Sequence, residues 1–443
     1  MKFRFVILLL LSQATAASGQ DIPEFFHISG CIRGLDSSGI YLREFHFDEE
    51  FVTDSATIGK DGCFHFRISA RKPAGHYRIQ FGGRRFLDLI FSHSDISFHT
   101  TIKQPIDSIS FENSPENEIY YRYLRFRLKS QPRIENLRKQ LKDFSPDDPF
   151  FNMARNEYLS LIGQEKSFTE ALIAGETDRF SAKLIKLDRE PPADPLLSLK
   201  ERLSFQFSHY LDKEIFSDTS ILRSNALSAR IISYLSFVTG IWHDDPEKGF
   251  RLASINLLAA ASGSEAMSHA VAGYLAAGFK RLGYESLAGE IGRLPIPCCS
   301  CANPGSEDKK NGMKHANLMG RKFPSITAIG SSGTVSLPSR SNTTLLIIPG
   351  RDCIAGQALT ENVMLMKPHF NKAGTEVYIL SDLKGSGRQE SEIRAISLRM
   401  DEAGRKKVQH FSGSEVPLLL EIDPDGTVRK AAASWIEFAK QQF

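Results

Sequence analysis

The spacing of apolar residues changes along the chain, and each section predicts a different kind of structure. Between residues 27 and 111, apolar and polar residues alternate in short runs, which turn sequences at 36–39, 60–62 and 82–83 separate. Such alternation is typical of strands with one buried face. The pattern predicts a β-sandwich-like domain over residues 20–113.

Residues 114–294 instead place apolar side chains three and four positions apart, as the stretch Leu227–Val238 illustrates. This spacing is that of an amphipathic helix. We expect an α-helical domain whose helices break at Pro132, Pro146, Pro191–Pro195 and Asp245-Pro246, because proline cannot continue the backbone hydrogen bonding of a helix.

The last part of the chain alternates strands and helices. A polar, cysteine-containing linker over residues 295–322 leads into an α/β domain over residues 323–443. The predicted elements are a strand at Thr344–Ile348, a helix at Leu359–Phe370, a strand at Glu376–Leu380, a helix near Gln389–Met400, a strand at Leu418–Ile422 and a closing helix at Ser434–Gln442. This order is that of the thioredoxin fold, so the whole chain is predicted to be a multi-domain α+β protein.

Residues 1–19 have the composition of a secretory signal peptide. Lys2 and Arg4 precede the apolar run Phe5–Leu11, and Ala14-Thr15-Ala16 supplies small residues for cleavage. The run is too short to span the hydrocarbon layer of a membrane, and no long apolar run follows it, so no integral membrane segment is predicted. The mature protein is expected to be periplasmic or secreted.

Composition and charge exclude some classes of partner. The 443-residue chain is 41% hydrophobic and 24% charged, as ordinary globular proteins are, and its formal charge of +3 is too balanced for a nucleic-acid-binding protein. The sequence has neither a His-Glu-x-x-His motif nor a phosphate-binding loop. We predict no nucleic-acid partner and no cofactor, and the oligomeric state stays open.

Two groups of phrases in the C-terminal part match a known family. They are Phe323–Ile326, Gly333–Leu337 and Leu345–Ile348 in the first group, and Val416-Pro417, Ile422-Asp423 and Gly426–Val428 in the second. In order and spacing this part resembles the TlpA-like thiol–disulfide proteins of the bacterial envelope, which have a thioredoxin-like domain. The resemblance implies thiol–disulfide exchange with protein or peptide thiols and disulfides in the envelope. It also implies that Pro417 is the cis-proline that faces the active site.

The earlier parts of the chain resemble segments that often accompany such a domain. Gly62–Phe66 and Glu112–Asn117 are similar to phrases of a small β-domain of unknown function, and Asp218–Arg223 is similar to a phrase of a helical insert. The resemblance therefore covers nearly the whole mature chain.

The chain departs from the family at the redox motif. Where the family has Cys-x-x-Cys at the start of a helix, this chain has Cys353-Ile354-Ala355-Gly356. Cys353 keeps the place of the nucleophile, where a helix N-terminus favours the thiolate. Gly356 cannot release a mixed disulfide, so we expect weak or no dithiol turnover. The catalytic candidates are Cys353 and Pro417.

Three roles stay open for Cys353. In the first, Cys353 is a relic thiol in a non-catalytic binding module that uses the thioredoxin groove, with a client peptide pairing at Pro417. In the second, it is a nucleophile whose mixed disulfide is resolved by another thiol. In the third, it is half of a structural disulfide. Cys298, Cys299 and Cys301 in the linker are the candidates for a displaced resolving thiol.

The other cysteines allow several pairings. Six cysteines permit 15 complete pairings, and the sequence does not choose among them. A simple partition makes Cys31 and Cys63 a possible structural disulfide, because each follows a glycine on a predicted strand. The linker cysteines with His315 would supply soft ligands for zinc. However, their spacing is not that of paired Cys-x₂-Cys arms, and an oxidising compartment favours disulfides, so no metal is predicted.

Overall fold

The computed structural model describes residues 23–35, 39–189, 191, 194–197, 201, 205, 209–293, 315–331, 333–349, 354–380, 396–412 and 417–440. It is a mixed α/β structure with several sheets. The predicted signal peptide lies outside the described residues. Among the helices within these ranges, none is both long and apolar enough to cross a lipid bilayer.

The N-terminal strands form two sheets. They are β1 (Phe25–Arg33), β2 (Ile40–His46), β3 (Glu49–Ala56), β4 (Cys63–Ser69), β5 (Gly75–Phe81), β6 (Arg85–Phe91), β7 (Ile96–Thr101) and β8 (Ser110–Glu112). In the described residues one sheet has the order β4-β1-β7-β8 and the other the order β3-β2-β5-β6. Their facing sides share one apolar core, to which Phe66 and Phe98 contribute from the first sheet and Leu42 and Ile79 from the second. A shared core of this kind is what two stacked sheets produce.

The middle of the chain is helical. The helices are α1 (Pro115–Asp143), α2 (Pro149–Ile173), α3 (Phe180–Asp188), α4 (Asn225–Ile241), α5 (Pro246–Ala261), α6 (Glu265–Arg281) and α7 (Glu285–Ile291). The start of α5 follows the sequence signal, since Asp245 caps it by accepting a hydrogen bond from the backbone N–H of Lys248, and Pro246 is its first residue.

The predicted helix break at Pro132 is wrong, because α1 continues through this residue. Proline removes one backbone donor from the helix. However, the residues beyond it are held by packing, since Ile134 and Leu141 are buried in one cluster with Phe151 and Tyr158 of α2. Tertiary packing of an apolar face contributes more to a helix than one backbone hydrogen bond.

The C-terminal part contains a second, larger sheet. Its elements are β9 (Ile326–Gly330), β10 (Gly333–Leu337), β11 (Thr344–Ile348), α8 (Ile354–Lys372), β12 (Glu376–Leu380), β13 (Ser397–Met400), α9 (Glu402–Ser412), β14 (Leu418–Ile422), β15 (Val428–Ala432) and α10 (Trp435–Lys440). Within the described ranges the strand order is β10-β9-β13-β12-β11-β14-β15. Strands β11, β12 and β13 are parallel to one another, and β14 is antiparallel to β11.

The helix predicted near Gln389–Met400 is wrong at its C-terminal end. Ser397–Met400 is strand β13, which pairs with β12 and β9, and residues 389–395 lie outside the described residues. Leu398 is buried against the sheet core. Sheet pairing on both sides therefore decides the conformation of this segment.

Strand β11 lies inside the large sheet and is buried on both faces. Leu346 and Ile348 belong to a cluster that includes Phe411 of α9. Leu345 and Ile347 belong to a different cluster, which continues through α8 into helices α4 to α7. The helical part and the C-terminal sheet therefore share one apolar core.

The tip of the β2–β3 hairpin also contacts the helical part. The ring of Phe47 stacks on Tyr274 of α6 with 4.8 Å between ring centroids, and the Tyr274 hydroxyl donates to the Asp48 carboxylate over 3.2 Å. The backbone N–H of Phe47 donates to the carbonyl of Leu222. These contacts join the N-terminal sheets to the helices.

Candidate functional site

The candidate site lies where β11 ends. Ile348 pairs with Leu418 of β14 in antiparallel register, so the residues beyond this pair, Pro349 and Pro417, are level with each other. Pro417 is buried. The structure thus places Pro417 beside the strand end that leads into α8.

Two of the expectations for this site lie outside the described residues. Cys353 is the residue immediately before Ile354, which begins α8, but Cys353 itself is not described. The peptide bond before Pro417 involves Val416, which is also outside these ranges, so a cis-proline here stays a prediction.

Gly356, which stands where the family has its second cysteine, is in the first turn of α8 and lies against the backbone of Pro349. A Cβ atom added to Gly356 would overlap the carbonyl oxygen of Pro349 and would lie 2.7 Å from its carbonyl carbon. Backbone atoms cannot turn aside as the end of a flexible side chain can, so this close approach requires glycine. The position therefore excludes a cysteine by its shape, besides lacking a thiol.

The rear face of α8 is fixed to α5 by a buried pair of amides. Asn362 donates from Nδ2 to Oδ1 of Asn256 over 2.6 Å, and Asn256 donates from Nδ2 to Oδ1 of Asn362 over 3.2 Å. Asn362 also donates to the carbonyl of Ala358, and Asn256 donates to the hydroxyl of Tyr234 over 3.0 Å. Buried amides that satisfy each other in this way hold two helices in one register.

Tyr234 completes this network from α4. Burial raises the pKa of Tyr234 far above its usual range, although the hydrogen bond from Asn256 acts in the opposite direction. The phenol is therefore neutral at physiological pH. A cavity between the helices borders the same groups and is also lined by Lys213 and Trp435.

Sequence reasoning missed this network. Asn256 stands in an otherwise apolar stretch of α5 and is 7% exposed, and Asn362 of α8 is 4% exposed. A lone amide in an apolar run was the available signal, but its partner lies 106 residues away in the sequence. Only the fold brings the two together.

Strand β14 has no free edge. It lies between β11 and β15 in the described sheet, and its residues pair on both sides. A client peptide that pairs at Pro417, as the binding-module hypothesis allowed, cannot continue along β14.

The structure brings together one predicted cysteine pair. Cys31 and Cys63 are joined by a disulfide between β1 and β4. Cys298, Cys299 and Cys301 lie outside the described residues, so their proximity to any other thiol is untested. In the part of the chain that the structure describes, no three or more His, Cys, Asp or Glu side chains are grouped to hold a metal ion.

Comparisons with known proteins match separate parts of the chain. Residues 26–120 match a family described as a domain of unknown function, DUF4369. This segment contains the two N-terminal sheets and the start of α1. No curated protein matches the chain.

Several solved structures are similar to the chain at low identity. One is the thioredoxin domain of a thiol-disulfide oxidoreductase from Bacteroides vulgatus, with 17% identity, a TM-score of 0.24, and coverage of 28% of this chain and 96% of that one. Another is a thiol:disulfide interchange protein from a Bacteroides species, with 18% identity, a TM-score of 0.24, and coverage of 28% and 87%. A third, a thioredoxin-like protein from Bacteroides caccae, has 16% identity, a TM-score of 0.22, and coverage of 56% and 95%. These matches do not by themselves show the family of this chain.

Proposed function

We propose that this chain is a thioredoxin-like protein of the bacterial envelope, descended from thiol–disulfide oxidoreductases, that has lost the dithiol cycle. Cys353 performs a single exchange with a client disulfide. The observation that carries the proposal is the steric exclusion at Gly356, where a Cβ would collide with the backbone of Pro349. The single substitution Gly356→Cys would therefore not restore the second cysteine of the motif.

The exchange step uses one thiolate. Cys353 attacks one sulfur of a client disulfide, the client S–S bond breaks, and the second client sulfur leaves as a thiolate that takes a proton from water. The product is a mixed disulfide between Cys353 and the client. Its release requires an external thiol, because Gly356 supplies none.

The neighbouring described residues support this step. Cys353 directly precedes α8, whose first backbone N–H groups are without helical acceptors and stabilise a thiolate. Pro417 is level with the end of β11, where it would contact a bound client chain. The amide pair Asn256–Asn362 holds α8 against α5 and so fixes where the helix begins.

Location and organisation belong to the same proposal. Residues 1–19 act as an export signal that places the protein in the periplasm or outside the cell. The parts 20–113, 114–294 and 323–443 act as three domains, and the linker 295–322 joins the second to the third.

The test is a turnover assay combined with trapping of the adduct. The full mature chain is mixed with oxidised glutathione, and the adduct at Cys353 is quantified by peptide mass spectrometry. We expect one adduct for each chain, which persists until an external thiol is added, and no catalytic reduction of insulin by dithiothreitol beyond the uncatalysed rate. Cys353→Ser removes the adduct.

The linker cysteines provide the second arm of this test. In a variant with Cys298, Cys299 and Cys301 all changed to Ser, the adduct at Cys353 persists as in the parent chain. Insulin reduction at many turnovers per chain would contradict the loss of the dithiol cycle. Absence of any adduct at Cys353 would favour the non-catalytic binding module instead.

A further inference from the structure

The sheet β4-β1-β7-β8 carries the Cys31–Cys63 disulfide on its outward side. Cys31 and Cys63 are directly opposite each other in the register of β1 and β4, and both are partly exposed. The alternating residues point to the other side, where Ile32 is 0% and Phe64 is 6% exposed. The disulfide therefore fills no space in the core.

The pairing of β1 with β4 extends well away from this disulfide. β1 and β4 remain in register over the whole stretch from the pair Phe25–Ser69 to the pair Cys31–Cys63, and β1 is also paired with β7 on its other side. β4 is the edge strand of the described sheet. Because Cys31 and Cys63 are partly exposed on the outward face, a reagent can approach the disulfide from that face. Reduction would then leave the backbone ladder and the core in place.

Several histidines share the face of the sheet that carries the disulfide. His99 of β7 is directly opposite Cys31, and neighbouring strands are separated by only ~4.8 Å. Its side chain is 58% exposed, and its Nε2 lies 3.6 Å from the carboxylate of Glu112. His65 is two residues beyond Cys63 on β4, so its side chain lies on the same face of the sheet.

A hydrogen-bonded row extends from His65 along this face. His65 Nε2 lies 2.9 Å from Nδ1 of His27, and its Nδ1 lies 3.1 Å from the hydroxyl of Ser29. Two arginines share the face by register, since Arg67 is opposite His27, and Arg33 is two residues beyond Cys31. Arginine and protonated histidine near a sulfur stabilise its thiolate form.

The two sulfurs have different surroundings. Cys31 has His99 across the strand and Arg33 on its own strand. The backbone N–H of Cys63 donates to the carboxylate of Asp61 over 3.1 Å, so a negative charge lies near Cys63. Of the two, Cys31 is the one level with a histidine of a neighbouring strand, and protonated His99 would stabilise it as the leaving thiolate, which makes Cys63 the sulfur that an incoming thiolate attacks.

We propose that Cys31–Cys63 is an exchangeable disulfide, a second redox site that accepts electrons from a dithiol reductant. One thiolate of the dithiol attacks Sγ of Cys63, the Cys31–Cys63 bond breaks, and Cys31 leaves as a thiolate beside His99. The second thiol of the reductant then attacks the mixed disulfide and releases Cys63. Two electrons and two protons pass from the dithiol, which becomes a disulfide, to the cysteine pair, and Cys353 takes no part.

The test measures reduction of this disulfide in the folded chain. The mature protein is treated with dithiothreitol without denaturant, quenched with an alkylating reagent at successive times, and mapped by mass spectrometry, so that Cys31 and Cys63 are followed separately from the other cysteines. We expect both to become labelled together while the far-ultraviolet circular dichroism stays unchanged. We expect His99→Asn to slow the reduction, because a thiol with a higher pKa leaves more slowly.

The matched control is His410→Asn, which changes an exposed histidine of α9, outside the sheet that carries the disulfide. We expect its reduction rate to equal that of the parent chain. Labelling of Cys31 and Cys63 only after denaturant is added, or loss of β-structure on reduction, would mean that the disulfide is structural and would overturn the proposal. Equal rates in His99→Asn and the parent would overturn the role of His99 as the group that favours the leaving thiolate.

Discussion

Replacement of Asn362 by alanine tests whether the amide pair holds α8 against α5. Asn362 donates to Asn256 and to Ala358, over 2.6 Å in each case, and accepts from Asn256 over 3.2 Å. After the substitution, Oδ1 of Asn256 keeps its burial but loses the N–H group that satisfies it. This acceptor is then left without a protein partner in a residue that is only 7% exposed.

The magnitude follows from this unsatisfied group. A buried polar atom that loses its partner costs about 1–3 kcal/mol, and the smaller side chain adds a little lost packing. We expect Asn362→Ala to lower the free energy of unfolding by about 2–3 kcal/mol, and Asn256→Ala to have a similar effect. Since both changes remove the same reciprocal pair, the double variant should cost about 1–2 kcal/mol less than the sum of the two.

Tryptophan fluorescence during urea unfolding measures this effect at the right place. The chain has two tryptophans, of which Trp242 ends α4 and Trp435 lies in α10, and both pack in the shared apolar cluster. Asn152→Ala, at an exposed position of α2, is the control and should change stability by less than about 0.5 kcal/mol. Single effects of that small size at Asn256 and Asn362, or strict additivity in the double variant, would refute the reasoning.

Three further predictions concern separate parts of the fold. Gly356→Ala should lower the free energy of unfolding in urea by more than about 2 kcal/mol. The control Gly273→Ala, at an exposed helical position with open space, should raise it by about 0.5–1 kcal/mol. Equal effects would contradict the close approach of Gly356 to the backbone of Pro349. A hydrogen bond from Lys322 lowers the pKa of Asp425 to about 2, so the stability from this pair is present above pH 3.8 and lost as the pH falls toward 2. In the variant Lys322→Gln the pKa of Asp425, measured by NMR titration, should rise toward 3.8. An unchanged pKa would be evidence against the pair. Burial lowers the pKa of His76 below 6.5, so the unfolded chain takes up a proton that the folded chain does not, and stability falls as the pH decreases below 6.5. His76→Phe should reduce that loss in urea midpoints measured at about pH 7 and pH 5.5; the same loss in the variant would show that His76 is not its source.

The sequence predicted the strands best where local pattern alone determines them. Thr344–Ile348, Glu376–Leu380 and Leu418–Ile422 have the same bounds in the structure as in the prediction, because each is a compact apolar run between turn residues. The prediction of a helix that includes Ser397–Met400 failed because the period-two pattern of this strand is short and adjoins helix-forming residues. The prediction of a helix break at Pro132 failed because the packing of α1 on α2, which the sequence does not show, outweighs the local effect of proline.

The candidate site could be located from the sequence but not explained by it. The sequence pointed to Pro417 only through the family resemblance, and the structure places it beside the end of β11. At Gly356 the sequence shows only a missing thiol, whereas the structure adds a reason, the carbonyl of Pro349. The contact between Asn256 and Asn362 depends on how two distant helices pack, and no local pattern encodes it.

The apolar cluster that runs from α4 to α8 determines how the chain can be divided. A protease that cuts between residues 294 and 314 would leave two fragments that stay attached through this cluster. A fragment of residues 315–443 alone would expose the apolar side of α8, including Leu359 and Val363, to solvent. Such a fragment would be prone to self-association.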